Sequence, residues 1–127
     1  MTKKEIAAMS PAETEILRIV WELGAATVLE VVDQLPPERQ IAYATVQTLL
    51  RRLEHKGYLK HKSRGKAHVF MASARKEEVI SRTVKDFLNR LFGGDPVPLV
   101  QYLAEHGEIT REDIDGLKKL IDKPKGK

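Results

Sequence analysis

The sequence predicts a mainly α fold with one small β-hairpin, and three observations carry that reading. Apolar residues recur at helical spacing in six separate stretches, most of which open on Ser, Thr, Asp or Pro. A glycine-containing basic turn divides two short strand-like runs. The chain is 127 residues long with 42% hydrophobic residues, enough for one ordinary domain or a small domain with a helical appendage.

Ser10-Pro11-Ala12-Glu13 opens the first helix, with Ser as N-cap, Pro at the first helical position and Glu closing a capping box. Ile16, Leu17, Val20 and Trp21 follow at helical spacing, and Gly24 ends the helix. Thr27-Val28-Leu29-Glu30 repeats the box; Val28, Val31, Val32 and Leu35 give a second short helix, stopped by Pro36-Pro37. A third helix is expected from about Ala42 to His55, with Val46, Leu49, Leu50 and Leu53 as its buried stripe. Its opposite face carries Ala44, Thr48, Arg51 and His55, flanked by Thr45, Gln47 and Arg52. Ala42 or Tyr43 stands where a capping side chain is expected, leaving N–H groups that could meet a phosphate.

Lys56-Gly57 terminates that helix, and Tyr58–Lys62 and Ala67–Met71 read as strands around Ser63-Arg64-Gly65-Lys66. Three helices followed by a basic hairpin are the order of a winged helix-turn-helix domain, assigned to residues 1–74. Residues 75–127 read as three further helices. The first carries Ile80, Val84, Phe87, Leu88, Leu91 and Phe92 and ends at Gly93-Gly94. Asp95-Pro96 caps the next, with Val97, Leu99, Val100 and Leu103; Thr110 caps the last, with Ile109 and Ile114 as a staple and Leu117, Leu120 and Ile121 on one side. From Lys123 a basic, frayed tail is expected. These helices show more apolar surface than so short a segment can enclose. A second copy of the chain is the expected cover, through Phe87, Leu88, Leu91, Phe92, Val100, Leu103, Leu117 and Leu120. The alternative is that they fold back on the first domain.

Charge sharpens the functional reading. The net charge is +4, yet residues 39–76 hold ten Lys/Arg and one Asp/Glu, leaving the remainder net acidic. Such a block is what a polyanion-binding surface looks like in sequence. An α-helix fits the DNA major groove, where short or planar side chains read base edges. Tyr43, Ala44, Thr45, Gln47, Thr48, Arg51 and Arg52 are the candidate contacts on the third helix. Thr45 and Thr48 suit a thymine methyl or a base acceptor, Gln47 an adenine, and Arg51 or Arg52 a guanine or phosphate. Lys60, Lys62, Arg64, Lys66 and His68 would lie on the wing, beside the phosphate backbone or a minor groove.

Other chemistries find little support. The chain has no cysteine, which removes disulfides, thiolate catalysis and cysteine-based metal sites together. His55, His61 and His68 lack a carboxylate set to complete a metal shell, Glu54 apart, so no metal or other cofactor is expected. No acid–base dyad, activated nucleophile or glycine-rich phosphate loop stands out, so an enzyme is not expected. No apolar run is long enough to span a bilayer. The start, Met1-Thr2-Lys3-Lys4-Glu5, is not a signal-peptide core, which points to the cytoplasm.

The segment Ala42-Tyr43-Ala44-Thr45-Val46-Gln47-Thr48-Leu49-Leu50-Arg51-Arg52-Leu53-Glu54-His55-Lys56-Gly57-Tyr58-Leu59 closely resembles the penicillinase-repressor (BlaI/MecI) family. The likeness extends to Ser10-Pro11-Ala12-Glu13, Val20-Trp21, the wing, Gly93-Gly94 and the closing acidic-then-basic helix. It implies a homodimer whose winged helices bind a palindromic double-stranded DNA operator and whose C-terminal helices intertwine. It further implies release from DNA when a sensor protease system triggers a cut in the dimerisation region. The matching bond is Tyr102–Leu103, where the better-known members have Asn followed by Phe. The copper-responsive branch carries a C-terminal cysteine-rich site that this chain lacks. Gln47 and Ala44 stand where some members carry basic residues, so the operator sequence does not transfer. Two other readings of a winged helix remain: a protein-interaction module, and a ligand-sensing regulator with an apolar pocket.

Overall fold

The computed structural model describes residues 8–122; the start of the chain and the basic tail from Lys123 lie outside the described residues. The contacts divide the chain between Ile80 and Ser81.

In the first unit, α1 (Pro11–Leu23), α2 (Val28–Gln34) and α3 (Tyr43–His55) pack with three short strands, β1 (Ala25–Ala26), β2 (Leu59–Arg64) and β3 (Ala67–Ala72). Both expected capping boxes form, Ser10 with Glu13 and Thr27 with Glu30. The Gly24 N–H donates to the Val20 carbonyl at 2.8 Å and ends α1. The sheet is antiparallel in the order β1-β3-β2. Ile16, Leu17 and Val20 of α1, Val31 of α2 and Val46, Leu50 and Leu53 of α3 are the centre of the core, closed by Leu59 and Phe70 from the sheet. Val79, in the first turns of α4 (Lys76–Phe92), belongs to the same core. This is a winged helix.

Two details differ from the sequence reading. The strands run further than expected, because Arg64 pairs with Ala67 and only Gly65-Lys66 remains as the turn. Gly65 has φ 61°, the left-handed conformation a two-residue hairpin needs at its first central position. The short strand β1 was not foreseen: two alanines carry neither alternation nor β-branching. Its existence depends on β3, to which Ala25 and Ala26 pair through Met71 and Phe70.

The second unit holds the remainder of α4, α5 (Val97–Glu105) and α6 (Arg111–Asp122). Gly93-Gly94 ends α4, with the Gly94 N–H donating to Leu88. The Asp95 carboxylate accepts from the Val97 N–H, and Thr110 and Asp113 cap α6 reciprocally. Among the described residues after Ile80 none is buried. No helix of the described residues is long and apolar enough to cross a membrane.

One buried ion pair ties the first unit together. The Glu13 carboxylate, 2% exposed, accepts from Lys56 Nζ at 2.7 Å and from the Ser10 N–H at 2.9 Å. Lys56 also donates to the Ala8 carbonyl at 2.9 Å. Burial alone would raise the Glu13 pKa; the Lys56 and Ser10 hydrogen bonds and the charges of Lys56 and Arg52 outweigh it and hold the carboxyl below its usual 4.5. A depressed folded-state pKa gives stability that is present above the unfolded value and lost as pH falls through the folded one. Lys56→Met should therefore lower stability near neutral pH by about 1–3 kcal/mol. The gap to the unaltered chain should narrow as pH falls below 4.5, as urea melts at a series of pH values would show.

Candidate nucleic-acid interface

Burying the stripe Val46, Leu49, Leu50 and Leu53 turns the other side of α3 to solvent. Tyr43, Ala44, Thr45, Thr48, Arg51, Arg52 and His55 are exposed there, and Gln47 is half-buried at the edge. Two shallow open hollows of about 250 and 280 Å³ run along this face, lined chiefly by Ala44, Thr45, Thr48, Arg51 and Arg52. Ala42 caps α3 without a side-chain hydrogen bond. The Thr48 hydroxyl donates to the Ala44 carbonyl at 3.0 Å, so that side chain offers its methyl and an acceptor rather than a free donor.

On the hairpin, Lys60, Lys62 and Arg64 alternate along β2 and so share one face of the sheet, while Lys66 stands in the turn. His68 lies on β3, its ring stacked on that of His61 with centroids 4.2 Å apart.

The structure sorts the basic block into engaged and free charges, which the sequence could not. Arg39 makes a two-pronged bond to Glu15 at 2.6 and 3.2 Å; that hydrogen bond, above all, depresses the Glu15 pKa against a smaller opposing effect of burial. Lys56 is bound to Glu13, and Lys76 sits 5.5 Å above the Trp21 ring. Arg51, Arg52, Lys60, Lys62, Arg64 and Lys66 form no ion pair among the described residues. These six lie on α3 and the hairpin. His61 is held by Glu54 at 2.7 Å, a pairing the sequence reading missed. Among the described residues no group of three or more His, Asp or Glu is placed to hold a metal ion.

Phe87, Leu91, Val100, Leu117 and Leu120 are exposed, whereas Leu88, Phe92 and Leu103 are half-buried. The Phe87 and Phe92 rings meet edge to face at 6.0 Å. The Tyr102–Leu103 bond lies inside α5, with the Tyr102 ring exposed and stacked on His106 at 3.9 Å.

Residues 9–123 match the family described as Penicillinase repressor. The chain belongs to the penicillinase repressor family. A penicillinase repressor from Bacillus licheniformis is 27% identical over 124 residues, 98% of this chain and 97% of its own. The solution structure of the DNA binding domain of the repressor BlaI superposes with a TM-score of 0.52 at 29% identity, covering 60% of this chain and 93% of that one. The monomeric BlaI of Bacillus licheniformis in complex with the blaP half-operator gives a TM-score of 0.50 at 29% identity, with the same coverage. A family of repressors is one of regulators and not of enzymes.

The division between free and engaged cations has a measurable consequence for this penicillinase-repressor relative. Lys62→Gln and Arg64→Gln should each lower the slope of log affinity for duplex DNA against log salt by about 0.9. Arg39→Gln, which removes a cation already bound to Glu15, should leave the slope unchanged in a fluorescence-anisotropy titration at several salt concentrations.

Proposed function

We propose that the chain is a homodimeric, sequence-specific repressor that binds a palindromic DNA operator through α3 and the wing. One observation carries the reading: of the eight Lys/Arg in the basic stretch 39–76 that form no ion pair among the described residues, six stand on one helix and the hairpin that follows it, the other two being Arg75 and Lys76. A helix in the major groove reads sequence, and flexible cations on a hairpin neutralise phosphate without a fixed geometry. Gln47, Thr45 and Thr48 read bases in this account, with Tyr43 and Ala44 against the groove, and Arg51 and Arg52 reach guanine or phosphate. Lys62, Arg64 and Lys66 grip the backbone. The related BlaI monomer complexed with the blaP half-operator supports this mode of binding. The reading places the chain in the cytoplasm, beside the DNA it controls.

Residues 1–74 are the DNA-binding part, their core completed by Val79 in the first turns of α4, and the rest of 75–127 is the pairing part. A second copy covers the apolar side chains of α4, α5 and α6, and two-fold symmetry of the dimer calls for a palindromic site. Linking two winged helices makes the second half-site encounter intramolecular, which raises apparent affinity by roughly 10²–10⁴. A cut at Tyr102–Leu103 by a sensor protease system would remove the end of α5 and all of α6 from that pairing, and repression would fail by loss of linkage. Because the bond is helical, α5 must open locally before a protease can take it as an extended strand.

Two tests follow. In competition binding against duplexes altered one base at a time, Gln47→Ala and Thr48→Ala should change which bases matter, whereas Lys66→Ala weakens every duplex alike. Unchanged base preference in both helix variants would remove α3 as the reader. The double variant Leu91→Glu/Leu120→Glu alters two exposed side chains and should sediment as a folded monomer, with operator affinity lower by roughly 10²-fold or more.

A further inference from the structure

Glu54 is the one carboxylate in the basic stretch 39–76, and it stands on the last turn of α3. A negative charge close to a surface that meets phosphate weakens binding by repulsion. Its position is accounted for by what it holds. Its two oxygens lie 2.9 and 2.7 Å from Nδ1 of His61 on β2. The His61 ring in turn stacks on His68 of β3, 14° from parallel, and tilts against Phe70 at 5.6 Å between centroids. Phe70 is rooted in the core. One imidazole thus joins the end of α3, both strands of the hairpin and the core.

The pair is not core filling, since the Glu54 and His61 side chains are each about a third exposed. Nor is it part of the basic face. His61 pairs with Phe70 across the sheet and points to the side opposite Lys60, Lys62 and Arg64, because alternate residues of a strand face opposite ways. Fixing His61 against α3 therefore fixes the direction in which those three cations point. A two-stranded hairpin on its own is marginally stable and twists freely.

We propose that Glu54 and His61 form a clamp that sets the angle of the basic wing against α3, with Glu54 a positioning residue for the backbone contacts. The proposal rests on the DNA-binding reading above. Its test sets two opposed effects against each other. Glu54→Ala deletes a negative charge, which by electrostatics alone should tighten binding to any duplex. The clamp requires the reverse: weaker binding of a random-sequence duplex, by roughly threefold to tenfold, the net worth of one ordinary hydrogen bond. Amide hydrogen exchange at Ser63–Lys66, measured on the full chain without DNA, should also quicken while the melting temperature stays near that of the unaltered chain. The exchange of partners, Glu54→His with His61→Glu, keeps the net charge and should restore both properties. Unchanged exchange at the hairpin tip, or tighter duplex binding by Glu54→Ala, would overturn the clamp. Failure of the unaltered chain to bind duplex would overturn the repressor reading instead, and the exchange measurement, made without DNA, tells the two failures apart.

Discussion

Val46, Leu49, Leu50 and Leu53 give α3 two duties that constrain each other. Their burial against α1, α2 and the sheet fixes the helix about its own axis, since 100° per residue leaves no freedom once one stripe is committed to a core. The residues that face outward are then determined by the sequence register alone. A rotation of the helix by one residue would bury Gln47 or Leu53's neighbour Arg52 and expose a leucine. The outward face is thus held by packing, and its precision is that of the core.

Electrostatics divides along the same line. Glu13 and Glu15 on α1 bind Lys56 and Arg39, which flank α3 in sequence. These pairs secure the ends of the segment that contains α3, and Lys56 does so at a carboxylate almost fully removed from water. Most of the cations left unpaired in the basic stretch 39–76 are those on the outer face of α3 and on the hairpin. A net charge of +4 says little about this arrangement; the pairing of individual residues says most of it.

Much of the fold was legible in the sequence because its signals are local. Capping boxes at Ser10 and Thr27, the apolar stripe of α3 and the glycines at 93 and 94 each act within a turn or two of chain, and each formed as read. What escaped depends on distant partners. The strand Ala25–Ala26 exists through β3, more than forty residues away. Glu13 was legible as a capping residue but not as the partner of Lys56, and Lys56 looked like part of the basic surface. Glu54 and His61 are seven residues apart, yet neither helical nor strand periodicity brings them together; the turn at Gly57 does.

The second unit presents its apolar side chains without burying any among its described residues, as a segment built to be completed by another surface would. The first unit, by contrast, has a closed core and an outer face of defined chemistry. The central claim is that this face, α3 with the wing, is where DNA sits. Backbone amide shift mapping of the full chain, titrated with a duplex carrying its operator, tests it most directly. The account predicts large perturbations at Ala44–Arg52 and Lys60–Lys66, with α1 and the buried stripe of α3 little changed. Perturbations confined to α1 and α2, or to the second unit, would contradict it.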